Sequence, residues 1–77
     1  MPTIKGFGHC RICIYAGDHN PPHFHILSPE FDVQVTIATM EILRGARHVN
    51  KVRVALEWAE RNKAELSLKW IELNERD

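Results

Sequence analysis

The sequence predicts one α+β domain, spanning residues 1–77, in which an antiparallel sheet of four to five strands precedes two helices. A chain of 77 residues is long enough for one small domain with a thin core. Segments within residues 3–44 alternate apolar and polar side chains, as strands do, and apolar residues then recur at helical spacing. The helices, at about 49–62 and 63–74, are expected to pack on one face of the sheet.

Five segments in the first part of the chain have the pattern of strands. They are residues 4–7, 11–15, 23–27, 31–37 and 40–43. The fourth segment is the clearest, because apolar residues occupy every second position from Phe31 to Ile37 and therefore share one face. Turn-forming residues separate most of these segments, and Gly45 is expected to end the last one.

The pattern changes to a helical period near residue 49. Apolar residues recur at this spacing from Val49 to Ala59, with charged residues on the opposite side. Asn50 is a candidate cap for the start of this first helix. Asn62 followed by Glu65 resembles a capping pair, which predicts that a second helix begins there.

Eight residues before and within the third strand combine histidine, proline and one carboxylate. They run Asp18-His19-Asn20-Pro21-Pro22-His23-Phe24-His25. On a strand, residues two apart project from the same face, so His23 and His25 are expected to lie side by side. Asp18 and His19 precede them across a stiff Pro-Pro corner. The segment can therefore gather two or three imidazoles and one carboxylate.

Three interpretations of this cluster remain open. In the first, His19, His23 and His25 bind a transition metal such as zinc, and either Asp18 or Glu30 adds a carboxylate ligand. In the second, the histidines and Asp18 act as general acid and base, which is enough for RNA cleavage without a metal. In the third, the prolines fix a corner, Asp18 closes a turn, and the histidines are exposed or contact a partner.

A basic stretch precedes the first predicted helix. It consists of Arg44, Arg47, His48, Lys51 and Arg53. A solvated surface is the ordinary interpretation, and the alternative is a local contact with phosphate or RNA. If the histidines cleave RNA, Arg11 or Arg47 would hold the phosphate.

Two tryptophans fall on the predicted helices. Aromatic residues at helical spacing usually belong to the core, and this is the expectation for Trp58 and Trp70. The alternative is a partner-contact surface formed by Glu57, Trp58 and Trp70.

Cys10-Arg11-Ile12-Cys13 has the C-x-x-C form. On a strand, residues three apart point to opposite faces, so neither a shared metal nor a disulfide is expected. Two reduced thiols are the preferred interpretation. A zinc site joining these cysteines to His23 and His25 is the alternative.

Composition argues against two classes of protein. Ten Lys and Arg residues balance ten Asp and Glu residues, giving a net charge of zero, whereas nucleic-acid-binding proteins normally carry a basic excess. No apolar run approaches the ~20 residues that a membrane span needs. The absence of an export signal and the use of only two cysteines favour a cytoplasmic protein with free thiols.

Over nearly its whole length the chain resembles a small bacterial family known as domain of unknown function 4160. The resemblance rests on Met1-Pro2-Thr3-Ile4, on Gly17 to His25, on Leu56-Glu57-Trp58-Ala59-Glu60, and on Glu65-Leu66 with Lys69-Trp70. It implies that the motif residues are Asp18, His19, Pro21, Pro22, His23, His25, Glu57, Trp58 and Trp70. Cys10, Cys13 and the segment Arg47-His48-Val49-Asn50 depart from the family's pattern. Members are often encoded beside a second small protein, domain of unknown function 2442, in pairs that resemble toxin–antitoxin modules.

Two classes of function are therefore hypotheses for this chain. The first is an interaction module that binds a cognate small protein encoded nearby, in a toxin–antitoxin-type pair, or a second copy of itself. The second is a hydrolase or ribonuclease that uses the histidine cluster, with or without a metal. A metal-binding sensor without chemistry is a third alternative.

Overall fold

A computed structural model describes residues 3–75, so Met1 and Pro2 of the family-like first segment lie outside the described residues. Its strands are β1 (Thr3–Gly6), β2 (Arg11–Cys13), β3 (His23–Ser28), β4 (Phe31–Thr36) and β5 (Ile42–Arg44). They form one antiparallel sheet in the order β1-β2-β3-β4-β5. A short 3₁₀ helix (Ala46–Lys51), α1 (Arg53–Arg61) and α2 (Lys63–Asn74) follow. The predicted α+β fold is confirmed.

The two faces of the sheet have different roles. Ile26 is paired with Ile12 on one side and with Val33 on the other, and this row is fully buried. The apolar face packs against Val52, which precedes α1, and against residues of both helices: Ala55, Ala59, Leu66 and Trp70. Alternation therefore places the neighbouring positions of β3, His23 and His25, on the opposite face.

Several boundaries differ from the sequence prediction. β2 ends at Cys13 rather than at residue 15, and β5 begins at Ile42 rather than at residue 40. Met40 has a φ of 61°, a turn conformation that does not continue a strand. The chain between β4 and β5 is therefore a longer turn than the predicted two residues.

The second helix begins after Asn62, as predicted, but Asn50 does not cap the first α-helix and neither asparagine forms a side-chain N-cap hydrogen bond. The first helical segment is a 3₁₀ helix, and α1 begins only at Arg53, after Val52, with no side-chain cap. The Asn50 carboxamide instead accepts a hydrogen bond of 3.0 Å from the Arg53 guanidinium. Asn62 holds the N-cap position of α2, but its side chain donates to the Trp58 carbonyl oxygen in the last turn of α1 at 2.7 Å instead of accepting from α2. Each asparagine side chain therefore forms a hydrogen bond other than the expected N-cap.

The two cysteines lie as the strand argument predicts. Cys10 belongs to the apolar core, whereas Cys13 is paired with His25 on the other face, and both thiols are free and buried. No helix within residues 3–75 is long and apolar enough to cross a membrane.

Candidate Asp–His–His centre

The loop between β2 and β3 folds back over the start of β3. It includes a cis peptide bond between Asn20 and Pro21. The fold-back carries Asp18 onto the sheet face from which His23 and His25 project. Both histidines are buried, with 5% and 7% of their surface exposed, so these two are not the solvent-exposed side chains of the third interpretation.

One carboxylate oxygen faces both imidazoles. Oδ2 of Asp18 lies 3.0 Å from Nε2 of His23 and 3.2 Å from Nε2 of His25. The ligand atoms of all three residues lie within 4.8 Å of one another. The Asp18 side chain is 21% exposed, so solvent reaches the centre from its side.

The far ring nitrogens have partners of their own. Nδ1 of His23 donates to the Pro21 carbonyl oxygen at 2.8 Å, and Nδ1 of His25 donates to Oδ1 of Asp32 at 3.0 Å. A carbonyl oxygen and an ionised carboxylate can only accept, so both protons of the neutral rings belong on Nδ1. In each neutral ring, Nε2 then carries no proton and presents a lone pair.

The inner side of the centre therefore consists of acceptors alone. Two Nε2 lone pairs face an ionised carboxylate oxygen at hydrogen-bond distance, and such groups repel one another unless a cation lies between them. That cation is either a proton, which turns an imidazole into an imidazolium, or a metal ion. Tetrahedral zinc with bonds of ~2.0 Å holds its ligand atoms about 3.3 Å apart, which is close to the spacing of Asp18 with each histidine.

Aromatic rings enclose the two histidines. The Tyr15 ring meets the His25 ring edge-on at 4.5 Å, and the Trp70 ring lies 5.3 Å from the His23 ring. The end of α2 holds this arrangement, because Asn74 donates to the Tyr15 carbonyl oxygen at 3.1 Å. A low-dielectric wall of this kind strengthens electrostatic interactions inside the centre.

The carboxyl group of Asp18 is perturbed by its surroundings. Burial by itself raises the pKa of Asp18. Protonated imidazoles act against burial: the hydrogen bond that His25 donates once its Nε2 carries a proton, and the positive charges of His23, His25 and His19, outweigh it, so the pKa of Asp18 lies below its ordinary value. Burial also raises the pKa of the Tyr15 phenol, so this hydroxyl stays protonated at neutral pH. The centre thus keeps an anionic carboxylate beside its two imidazoles.

The structure brings some of the predicted site residues together and leaves others apart. His19 is exposed, with its ring 6.5 Å from that of His23, and it is not among the three grouped ligands. Glu30 is exposed in the β3–β4 turn, where its N–H donates to the Ser28 hydroxyl. The carboxylate that completes the trio is therefore Asp18.

The predicted partner-contact residues have three different environments. Trp70 is only 2% exposed and donates to Glu75 at 3.0 Å, which makes it a core residue. Trp58 is half-buried and packs edge-on against Phe7. Glu57 is exposed and lines a groove beside α1 rather than the histidine face.

Sequence reasoning missed two residues of the centre, Asp32 and Tyr15. The signal for Asp32 was the hairpin register, which pairs Leu27 with Asp32 and His25 with Gln34, leaving Asp32 diagonal to His25. Tyr15 lies two residues after Cys13, a spacing at which extended residues share a face, so it was expected on the side of Cys13. Its contact with His25 depends on the path of the loop that follows β2.

Fold and centre together define a class of protein: a small α+β domain whose antiparallel meander carries a recessed Asp–His–His centre. A model of the family described as Domain of unknown function (DUF4160) matches residues 10–71, which include the whole centre. The chain belongs to this family, as the sequence resemblance implied. No curated protein and no solved structure matches the chain.

Proposed function

We propose that Asp18, His23 and His25 bind a divalent transition metal ion such as zinc, and that the protein uses this ion for hydrolysis. Three protein ligands leave a coordination position for water, as in catalytic zinc sites. A metal in such a site lowers the pKa of bound water to about 7, which makes hydroxide available at neutral pH. Asp18, the least buried member of the trio, lies on the side from which water and substrate would arrive.

The observation that carries this proposal is the set of hydrogen bonds behind the histidines. Nδ1 of His25 is bound to a carboxylate, and Nδ1 of His23 is bound to a main-chain carbonyl oxygen. Metal-ligating histidines almost always have such a partner, which orients the ring and raises its basicity. Structural histidines have no need for both Nε2 atoms to point at one carboxylate oxygen.

Native mass spectrometry of the purified protein tests metal binding. After loading with zinc and desalting, we expect a mass excess of one metal ion, lost on treatment with a chelator. Asp18→Asn should reduce this occupancy because it replaces the anionic ligand with a neutral one. His9→Ala is the matched control, since His9 is an exposed histidine whose ring nitrogen bonds the Lys51 carbonyl oxygen, away from the centre.

The same samples separate the remaining interpretations. Hydrolysis is measured with a chromogenic phosphodiester and a chromogenic ester, with and without metal. Activity that survives the chelator but disappears in His25→Ala would replace the metal by acid–base catalysis through the histidines. Stoichiometric metal without any hydrolysis would favour a sensor, and a protein that never retains metal would overturn the proposal.

A second candidate function is an interaction module in a toxin–antitoxin-type pair. It is supported by the large apolar side chains that the helices and β5 expose: Leu43 at 44%, Val54 at 62%, Leu68 at 63% and Ile71 at 47%. A groove of about 340 Å³ also lies between β5 and α1, and Met40, Ile42, Leu56 and Glu57 are among the residues that line it. Exposed apolar side chains and apolar grooves are each a common basis for protein recognition.

Co-expression with the protein encoded beside it tests this second function. We expect the two to copurify at a fixed ratio, and Val54→Asp to weaken the complex because it places a charge in the apolar contact. Ala64→Asp, at an exposed small residue of α2, is a control for added charge. Size-exclusion chromatography of the single chain distinguishes a homodimer, and absence of both a complex and any effect on growth would reject this function.

A further inference from the structure

We infer that the substrate of this centre is a phosphodiester of a single-stranded nucleic acid, held by Arg11 and Arg44 on either side of the metal. The inference rests on the proposed metal site and names its substrate class. It is carried by the register of the sheet, which places both guanidinium groups on the face of the centre.

Arg44 lies in the same row of the sheet as His25. Cys13 pairs with His25, His25 with Gln34, and Gln34 with Arg44. A shift in register between β4 and β5 puts Arg44, rather than Leu43, opposite Gln34. Directly paired residues project from the same face, and strands are ~4.8 Å apart, so Arg44 begins about 10 Å from His25.

Arg11 flanks the centre on its other side. It pairs with Leu27, and Leu27 pairs with Asp32, the carboxylate that orients His25. Its positive charge lies close enough to the Tyr15 hydroxyl to favour the ionised form of that group, and the Tyr15 ring packs against His25. Arg11 and Arg44 are both exposed, and within residues 3–75 neither forms an ion pair. The guanidinium groups of both arginines are therefore available to bind an external anion.

The charges on this face make anion binding depend on the metal. The carboxylates of Asp18 and Asp32 offset the charges of Arg11 and Arg44, so these four side chains carry no net charge without a metal. A divalent cation at the centre leaves two positive charges in excess, flanked by guanidinium groups that match phosphate oxygens in geometry. Gln34, which lies between His25 and Arg44, is neutral and would not repel the phosphates of a bound nucleic-acid strand.

The recess of the centre selects a single strand. His23 and His25 are buried, so the phosphorus atom has to enter beside Asp18. A flexible single strand can bend a phosphate into such a recess, whereas a duplex presents its phosphates on a stiff rod. In hydrolysis, the oxygen of one water bonds to phosphorus, the bond to the leaving oxygen breaks, and a water proton ends on that leaving oxygen.

Fluorescence anisotropy with short labelled oligonucleotides tests the inference. We expect the zinc-loaded protein to bind single-stranded RNA or DNA and the chelated protein to bind about tenfold more weakly or worse. Arg44→Ala and Arg11→Ala should each lower affinity about tenfold, as expected for loss of a charge-assisted contact, and reduce the salt slope by about 1. RNA and DNA of one sequence distinguish the two kinds of strand.

Arg61→Ala is the matched control, because Arg61 is an exposed arginine on α1, in the layer that covers the other face of the sheet. Equal losses in all three arginine variants would show nonspecific charge attraction and overturn the inference. Zinc-loaded protein that binds no oligonucleotide would also overturn it, while leaving the metal proposal intact. Native mass spectra of each variant reveal whether the metal site itself has failed.

Discussion

The Nδ1 atoms of His23 and His25 determine what the centre can bind. Because each Nδ1 proton is committed to an oxygen acceptor, each Nε2 presents a lone pair to Asp18. If the inner atoms included a donor, the trio would be an ordinary hydrogen-bonded cluster. As three acceptors, they require a proton or a metal ion between them.

The role of Asp32 gives the first prediction. Asp32→Asn keeps the shape of the side chain but removes the charge that orients and polarises His25, so zinc affinity should fall about tenfold to a hundredfold. Competition titration with a chromophoric chelator measures this loss. Glu30→Gln, in the neighbouring turn, should leave the affinity unchanged, and equal affinities for Asp32→Asn and the wild type would show that the hydrogen bond is incidental.

Asp18 should make the stability of the metal-free protein depend on pH in the acidic range. Its folded pKa is depressed below the ordinary value of 3.8. A group with a depressed folded pKa contributes stability above its unfolded pKa and loses it as the pH falls through the folded value. In chelator, the urea midpoint of the wild type should therefore fall between about pH 5 and pH 2 more steeply than that of Asp18→Asn. Parallel curves would contradict this assignment.

Among the secondary-structure elements, the faces of the strands could be predicted from alternation in the sequence. The side-chain hydrogen bonds at the helix ends could not, because more than one local partner was available to each asparagine. The face of each residue in β3 and β4 followed from period two alone. Asn50 and Asn62 had the right chemistry for caps, but an arginine and a helical carbonyl oxygen captured their side chains. The Asp18–His25 contact spans seven residues and needs the fold-back of a loop, which no periodicity describes.

Gly45 joins the sheet to the helical layer and gives a prediction for this junction. Its φ is +84°, and an added Cβ would lie 2.9 Å from the Asp32 carbonyl oxygen and 3.1 Å from the Val33 Cα. Gly45→Ala therefore combines a left-handed conformation with a backbone clash and should cost about 1–3 kcal/mol in the free energy of unfolding. Thermal denaturation measures this cost.

Gly6→Ala is the control for that substitution. An added Cβ at Gly6 meets nothing within 4 Å, and its backbone needs no positive φ. Its stability should stay within about 0.5 kcal/mol of the wild type. If the two variants were equally stable, the close approach of Gly45 to the Asp32 carbonyl oxygen would not constrain the fold.

In the whole molecule, the Asp–His–His centre contributes to folding stability because the core that contains its histidines is small. The described residues build a small core, and two of their buried side chains are the histidines themselves. The overall charge of zero concealed the grouping of charges on one face, because composition counts residues without placing them. Only the pairing of strands brings Arg11, His25 and Arg44 to the same surface.

Metal binding should therefore raise the melting temperature substantially. A ligand that binds only the folded state, present at a hundred times its dissociation constant, stabilises it by about 2.7 kcal/mol. For a domain of this size, that corresponds to a rise of about 10–20 °C, because a small domain has a small entropy of unfolding. Differential scanning fluorimetry with zinc titrated into chelator-treated protein measures the rise. His9→Ala should show the full shift and Asp18→Asn little of it; a zinc shift that persists in Asp18→Asn would place the ion elsewhere on the protein.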